Sequence, residues 1–292
     1  MLKYDEPLFR PPSEAYSLIL QLTLGCSWNK CAFCEMYSSK KFSVRKEDDI
    51  FKDIDKAAIY SPDIRKIFLA DGNAMVLSST KLLKVLGYLN KKFPKLNRVS
   101  AYAIAKDLEN KTIDELKALK DAGLKLLYVG IETGDDELLG LIDKGETFQS
   151  TTRNLLKAKE AGIKSSVMIL NGLGGNVYSA QHARNSARVV NETQPDFLST
   201  LVLSFPYGSE HYKKKFKGDF NEMDPVGLLK EMHLFISQTN LNNTIFRSDH
   251  ASNYLSLKGI LSRDKEKLLQ QIEFGINNSN KGILREEWQR GL

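Results

Sequence analysis

Cys26, Cys31 and Cys34 are all the cysteine in the chain, and they share one short loop, Gly25-Cys26-Ser27-Trp28-Asn29-Lys30-Cys31-Ala32-Phe33-Cys34. Structural zinc and ordinary electron-transfer clusters take four protein ligands, whereas a catalytic centre keeps one position open. Three thiolates in one polar loop therefore read as ligands of an iron–sulfur cluster with one iron left for a substrate or cofactor. A lone cysteine is more often a small buried hydrophobe, but three packed this closely are not explained that way. A disulfide would leave an odd thiol and require an oxidising compartment. Phe33 sets an aromatic ring beside whatever binds in the loop.

Such a loop needs elements to hold it. The apolar run Leu18 to Leu24 predicts a first strand, and Glu47 through Tyr60 has helical apolar spacing and stops before Pro62. Ile67 to Leu69 predicts a second strand. Ser79-Thr80 can cap a helix carrying Leu82, Leu83, Val85, Leu86 and Leu89 before Pro94. Val99 to Ile104 is a third strand, and Thr112-Ile113-Asp114-Glu115 is a capping box opening a helix that closes at Gly123. The pattern continues with a strand at Leu126 to Ile131, a helix from Phe148 to Ala161, a strand at Lys164 to Leu170, a helix from Ala180 to Glu192 and a strand from Phe197 to Phe205. Six strand–helix units predict an α/β fold with a parallel sheet, because each helix returns the chain to start the next strand in the same direction. Periodicity alone leaves barrel and open sheet both open.

In either architecture the active site belongs at the C-terminal ends of the strands. The unusual residues fall there: the cysteines after the first strand, Asp71-Gly72-Asn73 after the second, Glu132-Thr133-Gly134 after the fourth, Asn171-Gly172-Leu173-Gly174-Gly175 after the fifth and Ser204-Phe205-Pro206 after the sixth. Glycines let backbone approach a ligand, and neighbouring carboxylates or amides can take an ammonium or ribose hydroxyls. Further on, Thr244 to Tyr254 begins as a short strand and then gathers Arg247, Asp249, His250, Ser252 and Asn253. This segment is expected to close over a substrate, with Arg247 as a carboxylate or phosphate clamp and His250 as a proton donor. The competing reading is an Asx-type turn with His250 solvated. Leu261 to Ile276 predicts a last amphipathic helix.

The 292 residues, without a Pro/Gly/Ser-rich linker, suit a single α/β barrel domain. The net charge of +6, from 42 basic and 36 acidic residues, is mild. Its densest groups, Lys40-Lys41 with Arg45-Lys46 and Lys213-Lys214-Lys215 with Lys217, lack interleaved aromatics, so solvated helix faces are favoured over an RNA-binding surface. Met1 to Ser13 has no signal-peptide core, and no run approaches the roughly 20 apolar residues of a membrane span. The expectation is a cytoplasmic protein without a membrane partner.

These features together resemble the radical S-adenosylmethionine (SAM) superfamily over residues 15–210. The resemblance implies a partial (β/α)6 TIM barrel with a C-terminal α/β extension at 211–292. It implies a [4Fe-4S] cluster on Cys26, Cys31 and Cys34, with SAM chelating the fourth iron through its amino and carboxylate groups. Reductive cleavage of SAM would give a 5′-deoxyadenosyl radical that takes a hydrogen atom from the substrate, with electrons from a partner such as flavodoxin or ferredoxin. The usual cysteine spacing is three residues and then two; here four residues, Ser27 to Lys30, separate the first pair. By position, Phe33 would lie against the adenine, and Asp71, Gly72 and Asn73 would take the methionine ammonium. Gly130-Ile131-Glu132-Thr133-Gly134 resembles the fourth-strand segment of the branch holding elongator-type, methylthiotransferase and coproporphyrinogen-oxidase-like enzymes, with Glu132 meeting SAM. Val167 to Gly175 resembles the fifth-strand stretch whose backbone holds the adenine, here Asn171, Gly172, Leu173 and Gly174. Ser166, Arg153 or Arg184 would reach the SAM carboxylate or ribose.

With no fourth cysteine, the chain itself cannot ligate a second cluster by thiolates, which argues against methylthiotransferases and enzymes with auxiliary clusters. Room for an acetyltransferase or a cobalamin domain is also lacking. The expected function is radical chemistry on a small molecule. A tRNA-modifying enzyme and a non-catalytic electron-transfer protein are the rivals.

Overall fold

The structure, a computed structural model, describes residues 2–205 and 208–290. Pro206, expected in the sixth rim loop, lies outside the described residues. Strand and helix alternate as β1 (Leu18–Gln21), α1 (Glu47–Tyr60), β2 (Lys66–Ala70), α2 (Ser79–Lys92), β3 (Arg98–Ala103), α3 (Ile113–Asp121), β4 (Leu124–Glu132), α4 (Asp136–Leu141), α5 (Phe148–Glu160), β5 (Lys164–Asn171), α6 (Gly175–Thr193) and β6 (Phe197–Val202). After these come α7 (Glu210–Lys215), α8 (Pro225–Gln238), β7 (Ile245–Ser248), β8 (Leu257–Ile260) and α9 (Leu261–Asn277). Two compact units partition the chain. One takes the residues up to Asn29 together with Cys34–Val129 and Arg153–Ser165; the other takes Lys30–Phe33, Gly130–Thr152 and the chain from Ser166 on.

In the first unit β1, β2, β3 and β4 pair in that order, all parallel, with Leu20 opposite Leu69, Leu69 opposite Ala101 and Ala101 opposite Leu127. Phe68, Tyr102 and Tyr128 meet edge to face with centroids 5.0 to 6.2 Å apart, and α2 buries Leu82, Val85, Leu86 and Leu89. Glu14, on a short turn before β1, is fully buried, and its Oε1 accepts from Arg98 at 2.7 Å, Ser100 at 2.9 Å and Tyr128 at 2.7 Å. That saturation offsets the cost of burying a carboxylate.

The first strand is shorter than its sequence suggested. It ends at Gln21, and Thr23–Leu24 leaves to pair antiparallel with Ser43–Val44. Leu22 and Thr23 are both fully buried, so hydrophobicity carries straight through the break and does not mark it. The ribbon clamps both ends of the segment bearing the cysteines.

In the second unit β5, β6 and β7 are parallel, with Leu170 opposite Leu201 and Leu198 opposite Phe246, and β8 returns antiparallel with Lys258 opposite Arg247. Ala32, Leu138, Ile142, Leu170, Leu173, Tyr212 and Phe216 form one buried cluster. The sixth strand stops at Val202 instead of Phe205, and α6 begins at Gly175, five residues before its expected start. Helix α8, not anticipated from the sequence, is capped by Asp224, which accepts from the Gly227 amide, and buries Leu228, Leu229, Met232, Phe235 and Ile236.

Candidate cofactor site

In the first unit, the loop leaving β2 is pressed against the start of the cysteine loop. A side chain at Gly72 would put its Cβ 2.2 Å from the Gly25 carbonyl oxygen and 2.4 Å from the Cys26 Cα, so only glycine permits this approach. Asp71 turns the chain out of the strand with φ +63° and is fully buried. Its Oδ2 accepts from Lys40 Nζ at 2.9 Å, Gln21 Nε2 at 3.1 Å and the Gly25 amide at 3.2 Å. Burial raises the Asp71 carboxyl pKa despite the lysine and these donors. Its Oδ1 is buried without a hydrogen-bond partner among the described residues. Asn73 accepts from the Ser27 amide at 3.1 Å and donates to Ser27 Oγ at 2.7 Å and to the two Asp107 carboxylate oxygens at 2.9 and 2.8 Å. Asp71 and Asn73 thus tie down the residues on either side of Cys26. Gln21, Lys40 and Asp107 complete this scaffold, each through a partner more than thirty residues away; Lys40, expected on a solvated helix face, is instead buried and lies outside any helix.

In the second unit, Glu132 ends β4 with φ +66°, a left-handed backbone that a glutamate adopts only under constraint. The side chain is buried, with Oε1 accepting from Lys144 Nζ at 3.0 Å and Oε2 without a hydrogen-bond partner among the described residues. Lys144 also stands 5.7 Å from the centre of the Phe33 ring. Thr133 Oγ1 lies 2.8 Å from His182 Nδ1, and at Gly134 a Cβ would fall 2.1 Å from the Asn185 carbonyl oxygen. The Gly172 amide donates to Glu231 Oε1 at 2.7 Å, and the same oxygen lies 3.8 Å from His182 Nε2. The Leu173 carbonyl accepts from the Tyr212 hydroxyl at 2.6 Å. Lys144, His182 and Glu231 therefore fix the two glycine-containing loops, and only their tertiary partners reveal it.

Arg184, on α6, is exposed. Ser166 pairs with Phe197 on β5, Asn171 is buried at the strand end, and Gly174 packs against Tyr178 and Leu138. Arg153 is exposed and bonds Glu109 at 2.6 Å, within the first unit. Arg247 is exposed, and its Nη1 donates to the Phe246 carbonyl at 2.8 Å. His250 Nδ1 accepts from the Ser252 amide at 3.1 Å and meets its Oγ at 2.9 Å, and the ring is part-buried, not solvated. Cys26 and Cys34 belong to the first unit and Cys31 to the second; all three are part-exposed.

A sequence profile described as the Radical SAM superfamily matches residues 20–184, more than half of the chain. The chain belongs to the radical SAM superfamily. Among curated proteins, the heme chaperone HemW of Bacillus subtilis (strain 168) is 26% identical over 179 residues, 61% of this chain and 46% of that protein. This radical SAM chain thus spans about half the length of that relative. Coproporphyrinogen III oxidase (HemN) from Escherichia coli superposes with a TM-score of 0.57 at 16% identity, covering 76% of this chain and 52% of that one. The enzyme anSMEcpe with bound AdoMet gives 0.55 at 16%, covering 75% and 57%. Methylornithine synthase (PylB) gives 0.51 at 14%, covering 88% and 81%. The shared architecture is the TIM-barrel-like fold of radical SAM enzymes, and members of the family use a [4Fe-4S] cluster and SAM.

The residues present fit that pair of cofactors. Soft thiolates suit iron, and each cysteine can serve a different iron of a cube. No three His, Cys, Asp or Glu side chains among the described residues are grouped to hold a single metal ion, an arrangement that a cluster bound at separate corners does not require. Asp71 Oδ1 in the first unit and Glu132 Oε2 in the second are buried acceptors without a hydrogen-bond partner among the described residues. No helix among the described residues is long and apolar enough to cross a membrane.

Proposed function

We propose that the protein is a radical SAM enzyme in which Cys26, Cys31 and Cys34 hold the cluster and residues 211–292 extend a catalytic core at 15–210 to carry a small-molecule substrate. The single observation behind this reading is the glycine-only approach of the Asp71-Gly72-Asn73 turn to Cys26, in a chain that matches the family profile through that turn. When bound, the cluster and SAM supply one-electron cleavage of the sulfonium and a carbon radical able to abstract hydrogen. The protein's residues hold and orient. Asp71 and Asn73 fix Gly25 and Ser27, and so the direction in which the Cys26 thiolate is offered. Glu132, its Oε1 held by Lys144, is the acceptor at the end of the fourth strand for a donor on SAM, and the loop from Asn171 to Gly174, pinned through Glu231, gives the nucleoside a fixed surface to lie against. Phe33 supplies a ring face for the adenine.

The reading is tested by anaerobic reconstitution and electron paramagnetic resonance of the reduced protein. A cluster signal that changes on adding SAM supports it. A cluster indifferent to SAM would return the protein to the electron-transfer alternative. The similarity to HemW favours a second reading, haem carriage, which anaerobic haem titration addresses: stoichiometric haem binding without SAM cleavage would select it.

A further inference from the structure

The second unit holds a cavity of about 350 Å³ whose wall runs from Gly172 and Ser204, at the C-terminal ends of β5 and β6, to Arg290. That volume lies at the small-ligand end of the range for binding pockets, about 300–1,000 Å³. Phe205, Phe220 and Leu228 give the wall an apolar part. Its charged part is Glu222, Glu287 and Arg290.

Arg290 is only 8% exposed. Its Nε donates to the Ser252 carbonyl at 2.9 Å, and its Nη1 donates to Tyr254 Oη at 2.7 Å and to the Glu287 carboxylate at 2.7 and 3.0 Å. The guanidinium also lies 4.1 Å from the centre of the Tyr254 ring. Nη2 is buried and has no hydrogen-bond partner among the described residues. A guanidinium held this firmly in the wall of a cavity sets a fixed positive charge there for an acceptor. The two glutamates against one arginine leave the wall with one negative charge in excess. Glu287 is already neutralised by Arg290, so the excess resides on Glu222, which is exposed. A purely anionic ligand is therefore repelled, and a ligand carrying a cation is attracted.

We propose that this cavity binds an organic ammonium compound with a hydrogen-bond acceptor next to the ammonium and an apolar body, the pattern of an apolar α-amino acid or its amide. Glu222 faces the ammonium, Arg290 the acceptor, and Phe205 and Phe220 the apolar body. The assignment rests on the radical SAM reading only in calling this ligand the substrate.

The experiment is ligand-observed NMR on the full chain without cluster, using L-phenylalanine, L-phenylalaninamide, phenethylamine and 3-phenylpropionate. Phenylalanine and its amide are expected to bind, with 3-phenylpropionate about tenfold weaker or worse. Glu222→Gln, at an exposed position, should erase the preference for the ammonium. Arg290→Gln should bring phenylalaninamide down to the level of phenethylamine. If 3-phenylpropionate binds as well as the amide, if Glu222→Gln leaves the series unchanged, or if none of the four binds, the proposal is overturned. SAM cleavage is read separately on reconstituted protein, so loss of that activity would leave the cavity's ligand preference standing, and the converse holds as well.

Discussion

The candidate site is held by single residues that are buried with exacting partners. Gly72→Ala would drive a methyl into the backbone of Gly25 and Cys26, and neither can yield without moving the cysteine loop. The expected outcome is a folded protein, by circular dichroism, that retains less iron per chain after reconstitution. Lys144→Met would leave the Glu132 carboxylate buried and unpaired, at a cost of about 3–5 kcal/mol in denaturant unfolding. Adding Glu132→Gln to that variant should recover most of the loss, since the uncompensated charge and not the missing bridge is what destabilises. His250 offers a pH test. Burial holds its imidazole pKa below 6.5, and the nearby Arg285 pushes the same way against the opposing pull of Asp249. The folded state therefore takes up this proton less readily than the unfolded chain. Stability should fall as pH drops from 6.5 to the folded pKa, and the slope over that interval should flatten in His250→Gln, as read from urea midpoints.

At the scale of elements, local signals were legible where a helix or strand is defined by its own residues. The capping box expected at Thr112 is formed, with the Glu115 amide donating to Thr112 Oγ1 at 3.1 Å and Glu115 accepting from the Thr112 amide at 2.7 Å. The strands predicted near Ile67, Val99 and Lys164 are present, as Lys66–Ala70, Arg98–Ala103 and Lys164–Asn171. The break after Gln21 was invisible because buried apolar character continues across it, and the β7–β8 hairpin was half-visible because Leu257–Ile260 carries too few residues to show a period. Helix α4, six residues long, is likewise too short to be read from spacing. Its start is held by Asp135, whose Oδ1 accepts from the Leu138 amide at 2.9 Å and whose Oδ2 accepts from Asn185 at 2.5 Å. Asp135→Ala should lower stability by about 1–2 kcal/mol in denaturant titration, the cost of a lost N-cap, and more than Thr112→Ala because Asp135 is buried and doubly engaged.

At the scale of the whole molecule, the cysteine loop and the rim positions were readable from sequence because chemistry-bearing residues recur at strand ends. The scaffold that holds them was not, because Lys40, Lys144, Asp107 and Glu231 find their partners only in three dimensions. The central claim is that the three thiolates of this chain support SAM cleavage. Its most direct measurement is the yield of 5′-deoxyadenosine from SAM and a strong reductant under anaerobic conditions, compared between the reconstituted protein and its Cys31→Ala variant. The account predicts product from the former and none above background from the latter, with the two proteins equally folded. Equal yields from both, or none from a protein carrying a full complement of iron and sulfide, would contradict it.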